Sequence, residues 1–155
     1  MRIGLISDTH GFLRSEVFGR FEDVERILHA GDIGPAELLV ELEAIAPVTA
    51  VWGNTDGPEL RRALPEIATL EMEGRRVRVV HGHQLGSPQP ETLREAYPED
   101  DIIVYGHTHR PLVDRRHGRL TVNPGAAGHA RFRLRPSVGI LDLTEKRADV
   151  EIAEL

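Results

Sequence analysis

The stretch Tyr105-Gly106-His107-Thr108-His109 follows the apolar run Ile102-Ile103-Val104, so a strand would deliver two histidines to one turn. Histidine is the commonest metal ligand, through a neutral ring nitrogen, and residues two apart on extended backbone point to the same side. The pair therefore suggests a metal, although two ordinary turn histidines would look the same in isolation. Four more stretches place nitrogen and oxygen donors after apolar runs: Asp8-Thr9-His10-Gly11, Gly31-Asp32, Gly53-Asn54-Thr55-Asp56-Gly57 and His81-Gly82-His83. In open α/β sheets ligands bind beyond the carboxyl ends of the strands, and Asp8, His10, Asp32, Asn54, His81, His107 and His109 all fall at such ends.

The elements that must position these residues follow from periodicity and turn chemistry. Strands are expected over Arg2–Ser7, Arg26–Ala30 and Val48–Trp52, separated by a short helical stretch near Arg14–Phe21 and an amphipathic helix from Pro35 to Ala46, with Pro35 near its first turn. The second half is richer in strands. Ile67–Met72 and Arg76–Val80 flank Glu73-Gly74 as a hairpin, a helix runs from Pro90 to Tyr97, and a strand covers Asp101–Tyr105. Leu112–Arg116 and Leu120–Val122 join through His117-Gly118, and Ser137–Leu143 pairs with Ala148–Ile152. Strand-helix alternation followed by hairpins predicts an α/β protein of two mixed sheets packed as a sandwich, with helices on the outer faces.

Composition narrows the chemistry. The 155 residues, 40% hydrophobic and without an internal repeat or a linker-like tract, are expected to form a single domain over 1–155. Nineteen basic residues against 25 acidic ones leave a formal charge of −6, which argues against general attraction to nucleic acid or an anionic membrane. No cysteine is present, so a metal would be held by nitrogen and oxygen alone. No apolar run reaches spanning length and the chain enters a strand at once, so a soluble cytoplasmic protein is expected.

Seven such donors are too many for one four-coordinate ion and suit two ions ~3.5–4 Å apart, as in hydrolytic two-metal centres. Two divalent ions, two carboxylates and one hydroxide would together carry about +1, which matches an anion such as a phosphodiester. In their order, Asp8-x-His10, Gly31-Asp32, Gly53-Asn54, His81-Gly82-His83 and Gly106-His107-x-His109 resemble the calcineurin-like metallophosphoesterases. Asp8-Thr9-His10-Gly11, His29-Ala30-Gly31-Asp32, Asn123-Pro124-Gly125 and Pro136-Ser137 make the chain similar to the small bacterial and archaeal phosphodiesterases of that superfamily. The resemblance covers nearly the whole chain. It implies that Asp8, His10 and His109 bind one metal, that Asn54, His81 and His107 bind the other, and that Asp32 bridges the two. It implies two divalent ions (Mn, Fe, Ni or Zn, with manganese favoured) and hydrolysis of a small phosphoester, a diester before a monoester, by a metal-bridging hydroxide.

One departure stands out. Many members of the family carry a histidine after the Gly-Asn pair to assist the leaving group, and this chain has Thr55. His83, two positions after His81, is then the nearest catalytic acid beside Asp32 and Asn54, with an orienting role as the alternative. Asp56 is a third candidate, better explained as turn chemistry. Asn123, the backbone near Gly125 and Arg131 are candidates for phosphate contact. His29 is expected to pack or to orient Asp32, His117 and His129 to serve in turns and loops, and Trp52 to lie in the core. A retromer scaffold subunit also resembles the family, so the competing class is a protein-binding module on the same fold. A scaffold has no need of all seven donors, and none is replaced here. A homo-oligomer is compatible with either class.

Overall fold

Strands that are apolar at nearly every position must be covered on both faces, and this chain supplies a cover for each. In the computed structural model, which describes residues 1–131 and 133–155, the strands form two five-stranded mixed sheets. In the first, β1 (Arg2–Ile6), β2 (Arg26–His29) and β3 (Val48–Ala50) run parallel, and the antiparallel pair β9 (Ser137–Leu143) and β10 (Ala148–Glu154) joins at β1. In the second, β4 (Ile67–Met72) pairs antiparallel with β5 (Arg75–Val80). Next to β5 come β6 (Ile102–Val104) and β8 (Arg119–Asn123), both parallel to it, and β7 (Leu112–Arg116) closes the edge antiparallel to β8.

Period-2 alternation divides the side chains between layers. Ile3 and Leu5 of β1 meet Val77, Val79, Ile102, Val104 and Val122 between the sheets. Ile6 points the other way, to a cluster with Val17, Phe21, Leu38, Leu42 and Leu60. That outer cluster is built by α1 (Glu16–Arg20), α2 (Glu37–Glu43) and α3 (Pro58–Ala63). On the far side, α4 (Pro90–Ala96) sets Leu93 against Val80, Ile103 and Tyr105. The result is the sandwich with outer helices that the alternation predicts. Among the described residues, no helix is long and apolar enough to cross a membrane.

The helices differ from expectation in extent. The first is little more than one turn and α2 is shorter than the stretch 35–46, while α3 was not expected at all. Pro58 opens α3, but six residues are too few to show a helical period, so the stretch looks like turn chemistry alone. The hairpin turns agree with their sequences: Glu73-Gly74 and His117-Gly118 both have positive φ at the two central positions, the geometry that a two-residue connection favours.

Phe21 packs directly on β1, and a Cβ added at Gly4 would lie 2.9 Å from its ring. Gly4→Ala should therefore cost about 1–3 kcal/mol by overpacking. Urea unfolding would measure the loss, and an unchanged midpoint would show that the helical layer yields more easily than its burial implies.

Candidate metal centre

The parallel strands of both sheets end at the same end of the sandwich, and their turns are stitched together by backbone bonds. Asp8 N–H donates to the Gly31 carbonyl, His10 N–H to that of Asp32 and Gly106 N–H to that of His81, each at 3.0 Å. His107 N–H crosses between the sheets to Asp8 Oδ2, at 3.1 Å. Five of the seven expected donor residues have positive φ: Asp8, His10, Asp32, His107 and His109. For residues with a Cβ that backbone costs on the order of 1 kcal/mol or more each, and such strain concentrates at functional sites.

Each carboxylate has one oxygen secured and one turned inward. Asp8 Oδ2 accepts from Ser7 Oγ at 2.7 Å as well as from His107 N–H. Its Oδ1 lies 3.3 Å from His109 Nε2, 3.7 Å from His10 Nε2 and 3.9 Å from His81 Nε2. Asp32 Oδ1 accepts from Thr55 N–H at 2.9 Å, and its Oδ2 lies 3.2 Å from His81 Nε2 and 3.8 Å from His10 Nε2. His10 and His109 bring their Nε2 atoms to 3.3 Å of each other. Donor atoms of Asp8, His10 and His109 thus gather within 4.8 Å of one another, as do those of Asp8, Asp32 and His81.

Two further observations favour cations at this point. Asp8 Oδ1 and His81 Nε2 are buried and make no hydrogen bond among the described residues, which is costly for a polar atom with nothing to bind. His81 donates from Nδ1 to the Ala30 carbonyl at 2.7 Å, so its Nε2 lone pair is the one aimed inward. The glycines of the motifs also make room for carboxylates. A Cβ at Gly53 would stand 2.2 Å from Asp32 Oδ1, and one at Gly106 would stand 2.7 Å from Asp8 Oδ2 and 2.0 Å from Ser7 Oγ.

Electrostatics point the same way. Burial alone would raise the Asp8 pKa, but the imidazoles of His10, His109 and His81 facing it outweigh burial and hold the carboxyl below its ordinary range. Asp32 is also lowered, since His81 and the Thr55 N–H overcome its burial, and His81 is raised because Asp32 and Asp8 overcome its own. The carboxylates need positive charge beside them, and a divalent ion supplies it without a proton on the imidazoles.

The remaining expected residues fall into place unevenly. His107 is half-buried with its ring edge-on to His81 at 5.2 Å, and its pKa is lowered, first by burial. Asn54 lies on the exposed turn after β3, beside the Thr55 that holds Asp32. His83 is half-buried, its ring 5.5 Å from His81 and 5.4 Å from Trp52, with its pKa lowered chiefly by burial. Trp52 lines this rim half-buried, under the Arg61 guanidinium at 4.6 Å, so its place in the core is corrected: Pro65 holds its backbone beyond the end of β3.

Asp56 is no acid, because its two oxygens accept three backbone N–H groups, from Ile33, Gly34 and Gly53. Asn123 is not free for phosphate either. Its Nδ2 donates to the Gly106 carbonyl and Thr108 Oγ1, and its Oδ1 takes up the Gly125 N–H. Arg131 is exposed, His117 occupies a hairpin turn, and His129 packs on Phe12 at 4.2 Å. Ser7, which secures Asp8, was not anticipated, and its only signal was adjacency to that aspartate.

A sandwich that brings two buried carboxylates and several imidazoles to one end defines a protein built to hold divalent cations with nitrogen and oxygen ligands. The chain matches the calcineurin-like phosphoesterase superfamily domain over residues 1–146, and it belongs to that superfamily. It is 37% identical to a probable metallophosphoesterase of Methanothermobacter thermautotrophicus, over 98% of this chain and 91% of that one. A structurally characterised archaeal phosphodiesterase is similar at a TM-score of 0.77 and 27% identity, over 99% of this chain and 100% of that one. Zinc-bound Vps29 of Entamoeba histolytica shares the fold, at a TM-score of 0.82, 21% identity and 99% coverage of each chain.

Two measurements test this geometry. Gly53→Ala drives a methyl into Asp32, so the purified variant should hold less than half the metal of the wild type while its far-UV dichroism is retained; full metal content would refute the close approach. His29, buried between Thr9 Oγ1 and the Gly31 N–H, has its pKa pulled down to about 3, mainly by burial. The unfolded chain takes up that proton near pH 6.5 and the folded one does not. Stability of the metal-free protein should therefore fall as pH drops from 6.5 towards 3, by at most about 1.4 kcal/mol per pH unit from this group. Urea titrations across that range should show a shallower slope for His29→Gln than for the wild type.

Proposed function

We propose that the whole chain, 1–155, acts as one dinuclear metal-dependent phosphodiesterase. The observation that carries this reading is the convergence of Asp8 Oδ1 and Asp32 Oδ2 on the Nε2 atoms of His10, His81 and His109, with Asp8 Oδ1 and His81 Nε2 buried and unbonded. Asp8, His10 and His109 would hold one ion, Asn54, His81 and His107 the other, and Asp32 would lie between them. Asp32 Oδ1 accepts the Thr55 N–H while Oδ2 faces both His10 and His81, so Asp32 would be the residue shared by the two sites. When bound, two divalent ions supply Lewis acidity to the phosphoryl oxygens and lower the pKa of an attacking water from 15.7 towards about 7. Manganese is the favoured ion, with iron, nickel and zinc suited to the same donors.

Asp32 and Asn54 act by placing the two ion sites, and His83 is the proton donor to the leaving oxygen in this reading. A small diester is the substrate favoured over a monoester. Among the described residues no Lys or Arg pairs with Asp8 or Asp32, so the site offers limited positive charge for a dianion. A scaffold on this fold has no need to keep all seven donors, and none is replaced here, which sets the enzyme reading above it. A cytoplasmic location is part of the same proposal.

A panel of diesters graded by leaving-group pKa, assayed at matched metal occupancy, tests the assignment. Wild type should favour diesters over monoesters. His83→Ala should lose about 10²–10⁴-fold on alkyl diesters and little on a nitrophenyl diester. Equal losses across the panel would reduce His83 to shaping the site, and a preference for monoesters would overturn the substrate class.

A further inference from the structure

We propose that Asp56 and Arg61 form a clamp on the Asn54 turn that sets the occupancy of one ion site, the one completed by Asn54. The proposal rests on the dinuclear reading above and names two positioning residues that act through a ligand.

Asp56 is 4% exposed. Its Oδ1 accepts the Ile33 and Gly34 N–H groups at 2.9 and 3.1 Å, and its Oδ2 accepts the Gly53 N–H at 2.8 Å. One carboxylate thus ties the loop after β2, which carries Asp32, to the loop after β3, which carries Asn54. Three backbone donors to one carboxylate side chain fix both loops at once. Arg61, on α3, holds the same turn from outside: Nη2 donates to the Asn54 carbonyl at 2.9 Å and Nε to the Asp56 carbonyl at 2.8 Å. The Trp52 ring beneath the guanidinium, 4.6 Å away, limits where that side chain can go.

The two halves of the centre do not depend on this clamp equally. The turn bearing Asp8 and His10 has its own supports, through Gly31, Asp32 and Gly128 backbone groups and the Ser7 hydroxyl. Asn54 is exposed, and the bonds that hold its turn are those of Asp56 and Arg61 together with Thr55 N–H on Asp32. Loosening the clamp should therefore strip the Asn54 site first.

The test is a manganese titration of the chelator-stripped, full-length protein, followed by electron paramagnetic resonance and binding calorimetry. Wild type should take two ions and show a spin-coupled spectrum. Arg61→Ala changes an exposed side chain, and Asp56→Asn keeps one oxygen for Ile33 and Gly34 while setting an amide against the Gly53 N–H. In Arg61→Ala the first ion should bind as in wild type and the second should weaken by about 10–100-fold, the usual range for groups that orient a ligand, and in Asp56→Asn, which also loosens the Asp32 loop, the second ion should weaken by several-fold more than the first. The isolated six-line manganese signal should then persist at two equivalents. A purely structural role would lower the melting temperature of the metal-free variants and weaken both ions in parallel, and that result, or unchanged binding of both, overturns the clamp. A wild type that binds only one ion would fail the dinuclear reading itself and the clamp with it, an outcome distinct from the others.

Discussion

Asp8 and Asp32 put two carboxylates, both buried, at one end of the sandwich, and a buried carboxylate is tolerated only when opposite charge or hydrogen-bond donors surround it. Each solves half of that problem with its own backbone surroundings. Ser7 and the His107 N–H take one oxygen of Asp8, and the Thr55 N–H takes one oxygen of Asp32. The other half is left to imidazoles, and the remaining oxygens face them across 3.2–3.9 Å. Much of the local architecture follows from keeping the two anions in place. Glycines stand where a side chain would collide with them, and five of the candidate donor residues accept left-handed backbone at the turns that gather them.

The two-sheet sandwich is what makes this convergence cheap in chain length. Three parallel strands of one sheet and three of the other finish at a common edge, so donors far apart in sequence meet without long loops. His10 and His109 are neighbours in space although 99 positions apart in the chain. The strained turns persist because bonds between strand ends over-determine them, and those bonds lie in a packed interior that has little room to relax. His29 belongs to this network rather than to the cluster of candidate donors. It accepts the Gly31 N–H, bonds Thr9 Oγ1 through its other nitrogen, and so joins the turn after β1 to the turn after β2.

Around that centre lies a ring of residues whose chemistry is spent on backbone groups. Asn123 and Asp56 both carry side chains that could act on a substrate, and both are fully engaged in fastening loops. The same is true of Arg61 at the rim, whose charge is turned onto carbonyl oxygens. The candidate donors are held in place because these neighbours are committed to fastening their loops.

The sequence by itself determined the sandwich class, the strand ends that carry donors and the identity of the candidate ligands. Those features are written in local terms: apolar runs with period 2, turn residues after them, and histidines and carboxylates at fixed offsets. Tertiary structure alone decided the rest. That Asp32 turns Oδ2 toward both His10 and His81 goes with Thr55 holding its other oxygen from the turn after β3. Why Gly53 and Gly106 must be glycine depends on carboxylates 21 and 98 positions away in the chain. The roles of Asp56 and Asn123 were settled by backbone groups of loops distant from them, and α3 was too short for its period to show. A side chain's type and spacing state what it could bind, whereas what it does bind depends on which polar groups the fold brings within about 3 Å of it.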